Sequence, residues 1–425
     1  MNQLNKHNSS LREFLESEED HLDTSVLGEM VNLDSIDVVL RECLTIEEMR
    51  EAGSFFTGAE LAATAVNLFQ APITFDSVVL DPTCGAGNLL IECSRRLGVE
   101  STLSKTLEKW GGVLWGYDIH ESFVEATRLR IVIEALYRGV KKDCSIDAAL
   151  AMLTHIKCGD ALMVDSDELA TVTHSIMNPP FTSWPSPREN YWKVGKVNAA
   201  GVIFDKYLRL LPLDCNISAI LPDVLRSGSR YEGFRTFTSS QVNAQCNVWG
   251  RFNSKTDVDV FILHGNLEED NQEEIAWHED LGEYTALSER YDVCIGPLVA
   301  YRDPEEGESY PYFHPKNSPN WQTVTEPTEF RRFSGTVLEP PFVVIKRTSS
   351  PSDRYRASAT IINLKEAVAI ENHMIVIKPK SSTLRDCKKI LKVLKSNQTN
   401  EFLNERIRLR HLTVTVIKDI PIEGT

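Results

Sequence analysis

Between residues 77 and 265 short apolar runs alternate with longer stretches that are apolar or amphipathic. SVVLD (77–81), VLWGYD (113–118), HSIMN (174–178) and NISAILP (216–222) have strand length. NLLIECSRRL (88–97), HESFVEATRLRIVIEALY (120–137) and NAAGVIFDKYLRLL (198–211) have helix length and spacing. NAQCNVWG (243–250) and DVDVFILHG (257–265) add two further strands. Helices between consecutive strands let those strands run parallel, so the pattern predicts an α/β fold with a mainly parallel sheet.

The pattern changes on either side. Residues 1–50 are polar, with weak helical spacing, and read as a helical, acidic region packed outside the core. Residues 51–265 read as one α/β domain, and 266–285, which include NLEEDNQEEIAWHEDLGE, as an acidic linker. Alternating runs such as ENHMIVIKPK (371–380) predict a smaller, β-rich α+β domain over 286–425. Within it STLRDCKKILKVLKSNQ (382–398) reads as one helix, with Leu384, Cys387, Leu391 and Leu394 as its apolar stripe and Lys388, Lys392 and Lys395 on another face. Those lysines suit either a solvated surface or a contact with the DNA backbone.

Composition narrows the class. The chain has 425 residues, 42% hydrophobic and 25% charged, which suits a soluble globular protein. No apolar run approaches the roughly 20 residues that span a bilayer, and the first residues carry no secretory apolar segment. Nine cysteines show neither C-x-x-C nor zinc-ligand spacing, and read as reduced core residues of a cytosolic protein with no metal. The net charge of −16 speaks against nucleic acid, but its distribution does not. Residues 1–50 carry −8 and 266–340 carry −12, whereas 341–425 hold 16 Lys+Arg against eight Asp+Glu. A local phosphate-binding surface on an acidic protein is therefore permitted.

Four motifs fall at the carboxyl ends of the expected strands, where open parallel sheets bind ligands. In DPTCGAGN (81–88) a carboxylate meets a turn containing Gly85 and Gly87, with Asn88 as the expected helix cap. There is no G-K-[ST] for a phosphate loop and no third glycine for a dinucleotide fingerprint; a carboxylate there suits a ligand with a positive group, such as an amino acid ammonium. GYDIH (116–120) places Asp118 where a carboxylate can accept both hydroxyls of a ribose, or simply cap a helix. KCGDAL (157–162) places Asp160 where it can accept from an adenine amino group. NPPF (178–181) supplies an amide, two rigid prolines and an aromatic ring. The Asn178 side chain and the Pro179 carbonyl can converge as acceptors on an exocyclic NH₂, and Phe181 can stack on the ring that bears it. The plainer reading is a Pro-rich turn with a buried Phe.

DPTCGAG, GYDIH, CGDAL and NPPF, in that order, resemble the motifs of the S-adenosylmethionine-dependent N6-adenine DNA methyltransferases of gamma-type order. The family's upstream G-x-[FY]-[FY]-T-P is matched by GSFFTG (53–58), with Gly58 in place of the proline. The resemblance covers about 50 to 265. More loosely, 286–425 resembles the target-recognition domains of restriction-modification enzymes. It implies a class I, Rossmann-like methyltransferase domain, with S-adenosyl-L-methionine held by Phe55, Thr57, Asp81, Gly85, Gly87, Asp118 and Asp160. Asn178, Pro179, Pro180 and Phe181 would take a flipped-out adenine, and Lys388, Lys392 and Lys395 would contact double-stranded DNA. A cytoplasmic, nucleoid-associated prokaryotic enzyme is implied, with a restriction nuclease or other defence-system subunit as partner and no membrane. RNA or protein-glutamine N-methylation uses the same chemistry and stays open, as does a non-catalytic DNA-binding module with this fold.

Overall fold

The apolar runs of residues 77–265 become the strands of one sheet. The computed structural model describes residues 2–17, 23–36, 38–39, 57–188, 191–253, 256–269, 271 and 273–422. The chain divides into two compact units, Met1–Trp277 and His278–Thr425.

In the first unit, helices α1 (Asn2–Glu16), α2 (Thr24–Met30) and α3 (Ala59–Asn67) precede β1 (Val79–Asp81), α4 (Asn88–Ser94), α5 (Leu103–Val113) and β2 (Leu114–Asp118). Then come α6 (Glu121–Tyr137), α7 (Ile146–Ala151), β3 (Ile156–Cys158), α8 (Ser166–Leu169) and β4 (His174–Met177). A short hairpin, β5 (Ser183–Pro185) and β6 (Lys196–Asn198), leads into α9 (Ala199–Leu210) and β7 (Asn216–Pro222). Helices α10 (Asp223–Ser227) and α11 (Glu232–Gln241) precede the long hairpin β8 (Val242–Asn253) and β9 (Thr256–Leu267).

The sheet order is β3-β2-β1-β4-β7-β9-β8. Its first five strands are parallel; β9 runs antiparallel to β7 and β8 antiparallel to β9. This is the α/β, class I methyltransferase fold expected from the sequence. The order reverses direction at β1, which lies between β2 and β4, and a crevice opens at such a switch point. Helix α6 is enclosed, with thirteen of its seventeen residues buried, Arg130 and Glu134 among them.

The N-terminal helices do not lie outside the core. Leu11 and Leu15 of α1, Leu27 of α2, and Val31 and Leu33 beyond it are buried in the same apolar cluster as α4, α5 and α6. Their weak spacing hid this because only a few leucines face inward and the remaining surface is polar. Three further expectations are corrected. The cap of α4 is Gly87, with φ +86°, and Asn88 is the first helical residue. The stretch 382–398 is two helices. The cysteines are not all buried, since Cys158 and Cys294 are exposed.

The second unit opens with β10 (Thr285–Ala286), which pairs with the closing β19 (Pro421–Ile422), and with the single turn α12 (Leu287–Arg290). A five-stranded, mainly antiparallel sheet runs in the order β11 (Tyr291–Ile295), β18 (Met374–Pro379), β15 (Phe342–Lys346), β16 (Ala359–Ile362), β13 (Thr323–Val324). Strands β14 (Phe330–Phe333), β12 (Glu308–Phe313) and β17 (Ala369–Ile370) form another sheet. Beyond the sheets lie α13 (Leu384–Leu394) and α14 (Asn397–Arg406), separate because Ser396 caps the second by accepting from Thr399 N. Cys387, Ile390 and Leu394 of α13 enter the core of this β-rich α+β unit.

Candidate active site

Strand β1 ends in Asp81, only 1% exposed, whose carboxylate accepts from Thr83 N at 3.0 Å. Burial pushes its carboxyl up to about 7, and the nearby Asp118 charge adds to the rise. The chain then turns back with Gly85 at φ +51° and Gly87 at φ +86°. A Cβ on Gly87 would stand 2.7 Å from Thr127 Cγ2, so both conformation and space call for glycine. Thr127 donates its hydroxyl to Gly85 O at 2.7 Å, and the buried Arg130 donates to Ala86 O at 2.6 Å, holding the turn against α6.

Strand β2 ends in Asp118. One of its oxygens accepts from Gly85 N at 3.2 Å, the other from His120 N at 2.8 Å. Desolvation raises this carboxyl to about 6, while burial lowers the His120 imidazole. After β3 comes Asp160, which is exposed and turns the chain by accepting from Leu162 N at 2.8 Å. Two side chains of α9 brace that turn: Tyr207 donates to Ala161 O, and Lys206 to Leu162 O.

Strand β4 delivers NPPF. Asn178 Nδ2 donates to Thr57 Oγ1 at 3.0 Å, joining the last motif to the segment before α3. Phe181 lies edge-on to Phe252 of β8, ring centroids 5.7 Å apart. Asn198, the cap of α9, donates to Phe181 O at 3.1 Å and so holds the end of the motif. Asn88 contributes in a way its expected capping role did not suggest. Its Nδ2 donates to Thr57 O at 2.7 Å and Leu33 O at 2.9 Å, and its Oδ1 accepts from Arg130 at 2.7 Å.

These strand ends line one cleft of about 830 Å³, counting its open mouth. Thr57, Asp81, Gly85, Asp118, Asp160, Asn178 and Pro180 all line it, together with Cys84, Asn88, Ile119, His120 and Ile203. Gly87 caps α4, and Phe181 is half-buried with one edge against Phe252. Pro179 is buried beside the cleft, and Phe55 lies outside the described residues. Among the described lining residues there are three aspartates and no Lys or Arg. Such a set of acceptors suits a ligand that brings positive charge and hydroxyl or amino donors. S-adenosyl-L-methionine, with its sulfonium, ammonium, ribose and adenine, fits these residues. Arg130, Asn198 and Phe252 were not singled out in the sequence; no local motif marks them, because they reach the site only through α6, α9 and β8.

The lysines expected on DNA lie on the other unit. All three are exposed: Lys388 and Lys392 on α13, and Lys395 as its C-cap residue, 5.5 Å over the Trp321 ring.

Residues 37–200 match the model of the family described as N-6 DNA Methylase. The match begins before the resemblance noted in the sequence and includes NPPF. No curated protein matches the chain. Among solved structures, the chain is similar to the type IIL restriction-modification enzyme MmeI, solved in complex with DNA. That likeness has a TM-score of 0.55 at 10% identity and covers 92% of this chain and 70% of that one. The type IIG restriction endonuclease BpuSI is also similar, with a TM-score of 0.45 at 14% identity over 92% of this chain. The chain spans 61% of the length of BpuSI.

Proposed function

We propose that the protein is a site-specific DNA adenine-N6 methyltransferase that acts on a flipped-out base. The observation that carries this reading is NPPF at the end of β4, with Asn178 and Pro180 lining the same cleft as Asp81, Asp118 and Asp160. The bound cofactor supplies an electrophilic methyl group on a sulfonium. Asp81 and the Gly85–Gly87 turn hold its methionine end, Asp118 its ribose and Asp160 its adenine amino group. Extruding the target base costs a few kcal/mol, which stacking on Phe181 partly offsets. The adenine N6 lone pair is delocalised into its ring and is a poor nucleophile. By accepting hydrogen bonds from the two N6–H groups, the Asn178 amide oxygen and the Pro179 carbonyl would favour a pyramidal nitrogen whose lone pair is free to form the N–C bond; the methyl–sulfur bond would break as it forms, leaving a neutral thioether, and one N6 proton would then pass to water. Catalysis on this scheme is positioning and electrostatics.

DNA as the substrate rests on the family matched by residues 37–200 and on a second unit large enough to read a duplex. A restriction nuclease or another defence-system subunit is the partner class that accords with the fold likeness. Asn178→Ala tests the assignment. Cofactor affinity by calorimetry should stay near wild type, and tritiated-methyl transfer to unmethylated genomic DNA should vanish. Substantial turnover by this variant would overturn the assignment, and wild-type transfer to RNA or protein in preference to DNA would change the substrate.

A further inference from the structure

Thr57 was expected to help cover the cofactor, yet its hydroxyl is engaged elsewhere, 3.0 Å from Asn178 Nδ2. An amide has a donor end and an acceptor end that point in different directions. A target amine brings only protons to a catalytic acceptor, so it can be served by the amide oxygen and not by the amide nitrogen. Whatever takes up the Asn178 nitrogen therefore decides whether the oxygen faces the target.

Thr57 is well built for that task. It is 3% exposed, so water does not compete for its hydroxyl. Its own carbonyl accepts from Asn88 Nδ2 at 2.7 Å, and Asn88 in turn accepts from Arg130 at 2.7 Å. Arg130 is fully buried on α6 and also donates to Ala86 O in the glycine turn. A continuous line of hydrogen bonds thus runs from α6 through α4 to Thr57 and on to the amide of NPPF. Each member is held by a neighbour on a different element, which limits the freedom of the last one.

We propose that Thr57 is the positioning residue of Asn178: it accepts from the amide nitrogen and thereby presents the amide oxygen to the amine being methylated. This rests on the methyltransferase reading above. The hydroxyl can do this through its lone pair, so a serine can replace it and a valine of the same shape cannot.

Thr57→Val and Thr57→Ser are compared with wild type and Asn178→Ala, using the full chain, S-adenosylmethionine and unmethylated genomic DNA. Thr57→Val should slow single-turnover transfer about 10- to 100-fold, the scale of a slightly misplaced catalytic group. Its cofactor affinity by calorimetry should remain within about twofold, well under the tenfold that one hydrogen bond's loss can cause. Thr57→Ser should restore most of the rate. A second readout needs no turnover: the Asn178 side-chain amide protons, assigned by their absence in Asn178→Ala, should exchange slowly in wild type and Thr57→Ser and faster in Thr57→Val. An unchanged rate in Thr57→Val with Asn178→Ala inactive overturns the role of Thr57 and leaves the function standing. A loss confined to cofactor affinity, with full rate at saturation, returns Thr57 to a cofactor contact. A wild-type protein that binds S-adenosylmethionine and methylates neither DNA nor RNA nor protein overturns both.

Discussion

At the residue scale the unusual feature is a pair of desolvated carboxylates in a cleft with no Lys or Arg among its described lining residues. Asp81 and Asp118 titrate near 7 and 6 because burial disfavours their charges. Their ordinary value is 3.8, so between that and the folded values the folded protein holds more protons than the unfolded chain. The ligand-free protein should therefore lose stability as pH rises through this window. A cationic ligand reverses the preference by favouring the ionised carboxylates. Cofactor affinity should accordingly be weaker at pH 5 than at pH 8, and binding near pH 6.5 should release protons. Calorimetry in buffers of different ionisation heats measures both. Asp118→Ala should weaken binding by about 2–3 kcal/mol, the scale of charge-assisted hydrogen bonds. Equal affinity in this variant would leave Asp118 as a turn-closing residue that serves only Gly85 N and His120 N.

At the element scale, α13 is where the structure changes the terms of an expectation. The helix ends at Leu394, so Lys388 and Lys392 share an exposed face one turn apart while Lys395 caps it and lies over Trp321. If this surface tracks a phosphate backbone, changing all three lysines to Ala should weaken binding to every duplex alike, because such interactions carry no sequence information. The salt dependence should flatten by about 0.9 in slope for each phosphate that is no longer neutralised. Lys395 is the member whose replacement should also cost some stability, through its position over the Trp321 ring. Binding isotherms at several salt concentrations, together with a thermal melt, separate these effects. An unchanged slope would leave the lysines as solvated surface.

At the scale of the whole molecule, each unit has its own apolar core. The first is built around the seven-stranded sheet, the second between its five-stranded sheet and the helices from α13 onward. A chain ending at residue 277 keeps every described residue of the cleft. It should bind S-adenosylmethionine with near full-length affinity and lose specific DNA methylation. Calorimetry and a map of methylated sites check the two halves of that statement. A truncated enzyme that kept its site preference would place target recognition in the first unit or in a partner. A cut at 277 rather than at 285 is preferred because the division between units falls there.

Much of the cleft could be read directly along the chain. A carboxylate at a strand end, glycines in a turn and NPPF are local devices: their backbone angles and donor sets follow from the residues themselves, so order and spacing sufficed to place Asp81, Asp118, Asp160 and Asn178 at successive strand ends. The parallel sheet followed for the same reason, from runs whose period and length have one economical arrangement. What no local rule could supply was the company these residues keep. Arg130, Arg226 and Arg356 are among the largest fully buried side chains, and a sequence reading places arginine on the surface. Arg130 is inside because Ala86 O and Asn88 Oδ1 converge on it from α4 and its turn. The leucines of α1 joined the core because α6 offered an apolar face across more than a hundred residues of chain. Thr57 meets Asn178 across 121 positions, a pairing that exists only once β4 lies beside β1 and Asn88, at the start of α4, holds the Thr57 carbonyl.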